Sequence, residues 1–76
     1  MKTVLGILSE IRPEFDFTEN RDFIKEGMLD SFDIIALVSS LEQEFLIRID
    51  GTDIVPENFA SLDAIEKLVR RSSKKA

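Results

Sequence analysis

The chain contains neither cysteine nor histidine. Disulfide bonds, thiolate nucleophiles, serine–histidine dyads and zinc sites built on these residues are therefore excluded within it. Small secreted domains often depend on disulfides, so their absence favours a cytoplasmic protein held together by helix packing. The apolar run from Val4 to Leu8 is only five residues long before Ser9 and Glu10 follow. It is too short for a signal peptide or a membrane span.

Negative charge dominates most of the 76 residues, and the net charge is −5. Residues 1–69 hold six basic and fifteen acidic side chains, a net of −9, whereas residues 70–76 add +4. An acidic surface repels nucleic acid and anionic lipid and favours basic protein partners. We therefore expect no nucleic-acid partner and no membrane insertion. The basic C-terminal residues suit the negative end of a helix followed by a solvated end.

The spacing of apolar residues predicts an all-α fold, a three-to-four-helix antiparallel bundle with a long loop between helix 1 and helix 2. Pro13 ends the first helix, Pro56 suits the start of a short one, and Ser61 caps the last. A hydrophobic fraction of 43% is ordinary for one folded domain with a single core. We expect a domain over residues 1–71, a disordered tail over 72–76, and helices at about 3–11, 31–46, 56–59 and 62–71.

The segment between the first two predicted helices has no sustained period. Phe15, Phe17 and Phe23 are scattered along it, and we expect them to anchor this long loop on the core. Residues 46–49 alternate as a strand would, but a single strand has no partner, so we interpret them as a buried connector. The lack of strong strand patterns disfavours all-β and α/β folds.

The start of the second predicted helix is the point of chemical interest. Asp30 is a good N-cap, and Asp33 can complete a capping box by reaching back to it. Ser31 is then the first helical residue, and its exposed hydroxyl suits a phosphate at a helix N-terminus. From local sequence alone, a simple helix cap explains the same residues. Ser31 has no histidine to activate it, so another protein must do so if it reacts.

The stretch from Gly27 to Asp33 resembles the modification site of acyl carrier proteins, in which an Asp-Ser-Leu type motif opens the second helix. Residues 34–45 are similar to the recognition helix of that family, including its Leu-Glu-x-x-Phe ending. Later segments, from Ile49 to Ile65, resemble its third and fourth helices. The resemblance covers roughly residues 23–69.

What the resemblance implies is a carrier without catalytic activity or a metal site of its own. A phosphopantetheinyl transferase would move 4′-phosphopantetheine from coenzyme A to Ser31, normally with magnesium, while Asp30 caps the helix within the motif. The arm would carry acyl or aminoacyl groups as thioesters and supply the sulfur that the chain lacks. The partners implied are a loading ligase and downstream transferases or synthases of lipid or secondary-metabolite biosynthesis.

The resemblance also implies a partner-binding surface on the second helix. Asp33, Glu42 and Glu44 match acids that pair with basic patches on partner enzymes, and Phe32 and Ile35 are further expected contacts. Several residues depart from the common pattern and suggest a specialised carrier: Phe32, Ala36, Ser39 and Gln43.

Two alternatives stay open. The Leu-Asp-Ser-Phe string at residues 29–32 also resembles D-alanyl carrier proteins, so the cargo is either an acyl or an aminoacyl group. An unmodified helical adaptor that binds partners through its acidic second helix is the alternative of another class. Nothing in the sequence requires an oligomer, so we expect a monomer.

Overall fold

A computed structural model describes residues 2–19 and 21–75. Three α helices form the body of the protein, namely α1 (Val4–Ile11), α2 (Ser31–Phe45) and α3 (Leu62–Lys75). Two 3₁₀ turns, Gly51–Asp53 and Pro56–Phe59, connect α2 to α3. No strand occurs in the part of the chain that is described, and the predicted all-α class is confirmed.

Helix α1 begins at a side-chain cap and ends near a proline. The Thr3 hydroxyl accepts a hydrogen bond from the Gly6 N–H at 3.0 Å. The Arg12 N–H closes the other end by donating to the Leu8 carbonyl at 2.9 Å, one residue before Pro13. Between these ends one face of the helix is buried, formed by Val4, Ile7 and Leu8.

Helix α1 lies antiparallel to α2, as contacts at both ends show. Near the start of α1, the Lys2 N–H donates to the Glu44 carboxylate at 3.1 Å. Near its end, the Arg12 side chain contacts Asp33 at 2.8 Å. The start of α1 thus meets the end of α2, and the end of α1 meets the start of α2.

Helix α2 ends in a left-handed residue rather than a glycine. Leu46 has φ 54° and a side chain that is 86% exposed, in a conformation that usually favours glycine. The connector after it alternates as predicted, because Ile47 and Ile49 are buried whereas Arg48 is exposed. It makes no strand, and it leads into the 3₁₀ turns.

Helix α3 is longer than the sequence predicts. Ser61 caps its start as expected, accepting a hydrogen bond from the Ala64 N–H at 3.0 Å. The helix does not end at residue 71, however, and the predicted disordered tail is wrong for residues 72–75, which are helical. Ser72 is 2% exposed because it continues the buried stripe of Ile65 and Leu68 at helical spacing. Residue 76 of the predicted tail lies outside the described residues.

The long loop is anchored by its aromatic residues, as the sequence predicts. Phe17 and Phe23 are buried and meet edge to face, with ring centroids 5.0 Å apart. Phe15 is half-buried and touches Phe17 in the same manner at 6.3 Å. The Phe23 N–H donates to the Ala60 carbonyl at 2.7 Å, which ties the loop to the segment before α3.

The hydrophobic core lies where the three helices meet the loop. Each helix packs against the other two, and the long loop, the connector after α2 and the turn Pro56–Phe59 also contribute buried side chains. None of the helices in the described ranges has the length and apolar character that crossing a membrane requires. The most completely buried apolar side chains are Leu8, Phe23, Leu37, Leu41, Phe59, Ile65 and Leu68.

Candidate functional site

Ser31 is the first residue of α2, and its side chain is exposed. The predicted capping box around it is present. The Asp33 N–H donates to Asp30 Oδ1 at 2.9 Å, and the Asp30 N–H donates to Asp33 Oδ2 at 3.1 Å. Since Asp30 performs the capping, the Ser31 hydroxyl is not needed for it and faces solvent.

The chain that leads into Ser31 is held firmly. Gly27 has φ 73°, a conformation that residues with a side chain rarely adopt, and it turns the chain towards the core. Met28 and Leu29 are then buried, and both of their N–H groups donate to the Phe23 carbonyl, at 2.9 and 3.1 Å. Ser31 is therefore presented between a buried segment and the first turn of a capped helix.

Arg12 completes the site from the end of α1. Its Nε donates to Asp33 Oδ2 at 2.8 Å, its Nη2 to Asp30 Oδ2 at 3.3 Å and its Nη1 to Glu14 Oε2 at 3.0 Å. Sequence patterns do not predict this role for Arg12, because its partners in the motif lie 18 and 21 positions away. The one sequence signal was a single cation directly after an apolar helix in a strongly acidic chain.

These contacts set the charge at the site. The hydrogen bond from the Asp33 N–H is the main contact that stabilises the Asp30 carboxylate, and the nearby Arg12 cation adds to it. Together they hold the pKa of Asp30 below its ordinary value. The hydrogen bond to Asp33 likewise raises the pKa of Arg12, which stays protonated. Two carboxylates and one cation thus surround the helix start. An exposed hydroxyl at a helix N-terminus, next to a fixed cation, is compatible with a phosphate ester.

The outward face of α2 carries no charge. It begins at Ser31 and continues with Phe32, 82% exposed, and Ile35, 66% exposed. Two large apolar side chains that are exposed side by side are typical of a contact surface. The remaining exposed residues of the helix lie along the same face: Ala36, Ser39 and Gln43.

The three predicted partner-binding acids lie beside this face, and each holds a contact within the chain. Asp33 belongs to the capping box, and its side chain is 14% exposed. Glu42 is half-buried and accepts a hydrogen bond from the Ile49 N–H at 2.9 Å. Glu44 accepts from the Lys2 N–H. Their role in partner binding stays a prediction, as does that of Phe32 and Ile35.

A comparison with protein families shows which family the chain belongs to. The model of the family described as "Phosphopantetheine attachment site" matches residues 1–69. The chain belongs to this family. The predicted carrier class and its covalent 4′-phosphopantetheine are thereby confirmed. The protein is a carrier whose working thiol belongs to its prosthetic group, which is consistent with the absence of cysteine.

Among curated proteins, this carrier is similar to aminoacyl carrier protein 1 of Bradyrhizobium diazoefficiens. The two are 35% identical over 69 residues, which make up 91% of this chain and 76% of the relative. No solved structure matches the carrier at a significant level.

Proposed function

We propose that 4′-phosphopantetheine is attached to the Ser31 hydroxyl and that the carrier has no catalytic activity of its own. The observation that carries this proposal is the position of Ser31, exposed at the first residue of a helix that Asp30 already caps. The family match supports it because it spans this motif. The chain lacks histidine, so deprotonation of the serine has to come from the transferase.

In the attachment step, Ser31 Oγ forms a bond to the phosphorus that bears pantetheine in coenzyme A. The phosphoanhydride bond breaks, adenosine 3′,5′-bisphosphate leaves, and the serine proton passes to a base of the transferase. Once bound, the arm supplies a thiol on which cargo is carried as a thioester. The carrier's own residues present the serine and the surface that partners recognise.

The test is the intact mass of the purified carrier after incubation with coenzyme A, magnesium and a broad-specificity phosphopantetheinyl transferase. We expect a gain of one phosphopantetheine, which Ser31→Ala abolishes. Ser39→Ala is the matched control, because Ser39 is also exposed on α2, and it is expected to be modified normally. If the folded wild-type chain gains no mass, or if Ser31→Ala still gains it, the assignment is wrong. A chain that works unmodified would fit the adaptor alternative.

We further propose that the cargo is a small acyl group rather than a long fatty acyl chain, and the relative named an aminoacyl carrier protein favours an aminoacyl group in particular. The packing supports small cargo, since Leu37, Phe59 and Ile65 fill the core and a long chain would have to displace them. The intact mass of the loaded carrier, isolated from its own cells under mild conditions, distinguishes an amino acid from a fatty acyl chain. Recovery of a long acyl chain would contradict the proposal.

Partner enzymes, in this proposal, contact the exposed side chains of Phe32 and Ile35 beside the arm. Asp33, Glu42 and Glu44 add negative charge at the margin of that contact, which accelerates encounter with basic surfaces. Phe32→Ser is expected to raise the KM of the transferase for the carrier, whereas the more distant Gln43→Ser leaves it unchanged. Equal KM values for the two variants would exclude Phe32 from the contact.

A cytoplasmic location and a monomeric state complete the proposal. Coenzyme A and ligases that use nucleotides are available in the cytoplasm, and the arm's thiol requires its reducing conditions. Cell fractionation and light scattering of the purified carrier are the respective tests. Recovery outside the cytoplasm, or a mass above that of one chain, would contradict them.

A further inference from the structure

We propose that Arg12 is a positioning residue for the modification of Ser31, acting from helix α1 on the two carboxylates that frame the serine. This inference rests on the proposed attachment at Ser31 and adds a residue outside the motif. Arg12 does not have to touch coenzyme A to act. It offsets one of the two negative charges of Asp30 and Asp33 and holds the capping box in one geometry.

The guanidinium group of Arg12 contacts both carboxylates at once. One side of the group meets Asp33 through Nε at 2.8 Å, and Nη2 reaches Asp30 at 3.3 Å. Arg12 is the cation that contacts these two carboxylates within the described residues. Its backbone is fixed as well, because its N–H closes α1 on the Leu8 carbonyl. Arg12 therefore connects the end of α1 to the start of α2.

Arg12 also shares an acceptor atom with the capping box. Asp33 Oδ2 accepts both from Arg12 Nε and from the Asp30 N–H, so one oxygen atom joins the cation to the cap. In the other hydrogen bond of the capping box, the Asp33 N–H donates to Asp30 Oδ1. Arg12 donates to Oδ2 of the same carboxylate. Loss of Arg12 would leave both carboxylates free to rotate away from capping positions. Ser31 lies between them in the chain.

Arg12 also supplies positive charge next to Ser31 in an acidic setting. The phosphates of coenzyme A are anions, and they have to reach a serine that has one carboxylate before it and another two residues after it. Without Arg12 these two charges would oppose the approach and weaken the field of the helix N-terminus, which favours anions. Arg12 and Asp33 have side chains that are 31% and 14% exposed, so solvent screens their interaction only in part.

The test measures the rate of phosphopantetheine attachment to the full-length carrier. We expect Arg12→Ala to lower kcat/KM for the carrier about tenfold, and Arg12→Lys to retain part of the rate, since lysine supplies the charge without the fork of donors. Arg21→Ala is the matched control, because Arg21 is another exposed arginine, bridged to Glu19 and Glu26 away from the motif. It is expected to react at the wild-type rate.

A double variant separates charge from structure. In Arg12→Ala combined with Asp33→Asn, the asparagine amide oxygen can still accept from the Asp30 N–H, but the uncompensated charge is gone. We expect this variant to recover most of the lost rate. A residue that merely stabilised the fold would give no such recovery, because the double variant lacks the same guanidinium contacts.

A second readout does not involve the transferase. In the unmodified carrier, the Asp33 N–H is expected to exchange with deuterium faster in Arg12→Ala than in the wild type, while the Asp22-capped amide of Lys25 keeps its rate. If the wild type is modified and Arg12→Ala is modified at the same rate, the positioning role of Arg12 is wrong but the proposed function stands. A wild-type carrier that gains no mass overturns the proposed function and the inference with it. Unchanged exchange at Asp33 contradicts the positioning role.

Discussion

Among single residues, Asp30 stands out because each of its two carboxylate oxygens makes a different contact. Its Oδ1 caps α2 through the Asp33 N–H, and its Oδ2 meets Arg12. Both contacts favour the ionised carboxylate, so its pKa is lowered in the folded protein. The cap that leaves the Ser31 hydroxyl free is therefore also a source of acid sensitivity.

Acid unfolding tests this residue directly. Because the pKa of Asp30 is lower when folded, its stabilising contribution is complete above its ordinary value of about 3.9 and is lost as the pH falls through the lowered pKa. We expect the melting temperature to fall below about pH 4, and to fall less steeply in Asp30→Asn, which retains a capping side chain. Glu57→Gln, at an exposed turn residue far from the motif in sequence, is the control. Equal slopes for Asp30→Asn and the wild type would contradict this account.

The residues that sequence reasoning identified correctly are those whose partners are close in the chain. The Asp30–Asp33 box spans three positions, and the Ser61 cap also acts three residues on, so a local pattern was sufficient. Arg12 could not be found in this way, because only the folding of α1 against α2 brings it to the motif. The internal contacts of Glu42 and Glu44 could not be predicted from local sequence either, since their donors, Ile49 and Lys2, lie outside α2.

At the scale of elements, α3 shows how tertiary packing overrides composition. Its last residues are small, polar and basic, and this composition is typical of a frayed end. The helix continues because Ser72 is buried against the rest of the protein, and the Ser73 hydroxyl donates to the Val69 carbonyl at 3.0 Å. Apolar residues at helical spacing predicted the positions of the helices. Serine is polar, so the burial of Ser72 could not be predicted from that spacing.

A charge at residue 72 tests whether this last turn is packed. Ser72→Asp buries a carboxylate, and we expect the free energy of unfolding to fall by about 2 kcal/mol or more. Ser73→Asp is the matched control, because it adds the same charge at the same helix end but on an exposed residue. Urea unfolding followed by far-UV circular dichroism measures both. Similar small losses for the two variants would show that the last turn is not packed.

At the scale of the whole molecule, the long loop is part of the core rather than a cover over it. Phe23 contributes a fully buried ring, and its backbone receives two hydrogen bonds from the residues before the motif. The sequence predicted that phenylalanines anchor the loop, because long loops in small domains need such anchors. It could not predict that the same residue supports the site, which depends on backbone geometry.

Truncation of Phe23 is expected to affect the whole fold. Phe23→Ala removes a ring that is fully buried, at a cost of about 3–5 kcal/mol, against roughly 5–10 kcal/mol for a domain of this size. The half-buried Phe15 is the control, and Phe15→Ala is expected to cost clearly less. The chain lacks tryptophan and tyrosine, so urea unfolding is again followed by circular dichroism. Equal losses for the two variants would mean that the loop is not anchored at Phe23.

Lys2 with Glu44 and Arg12 with Asp33 connect α1 to α2 at both ends, so the fold depends on the number of residues between these contacts. Ten positions separate Lys2 from Arg12, and eleven separate their partners Asp33 and Glu44, so the two spans match to within one residue, at about 15 to 17 Å for the rise of an α helix. Inserting or deleting one residue within α1 would turn everything beyond it by about 100° and shift it by about 1.5 Å. Only one of the two ends could then stay in register. Helix α1 should therefore accept changes of residue type far more readily than changes of residue number.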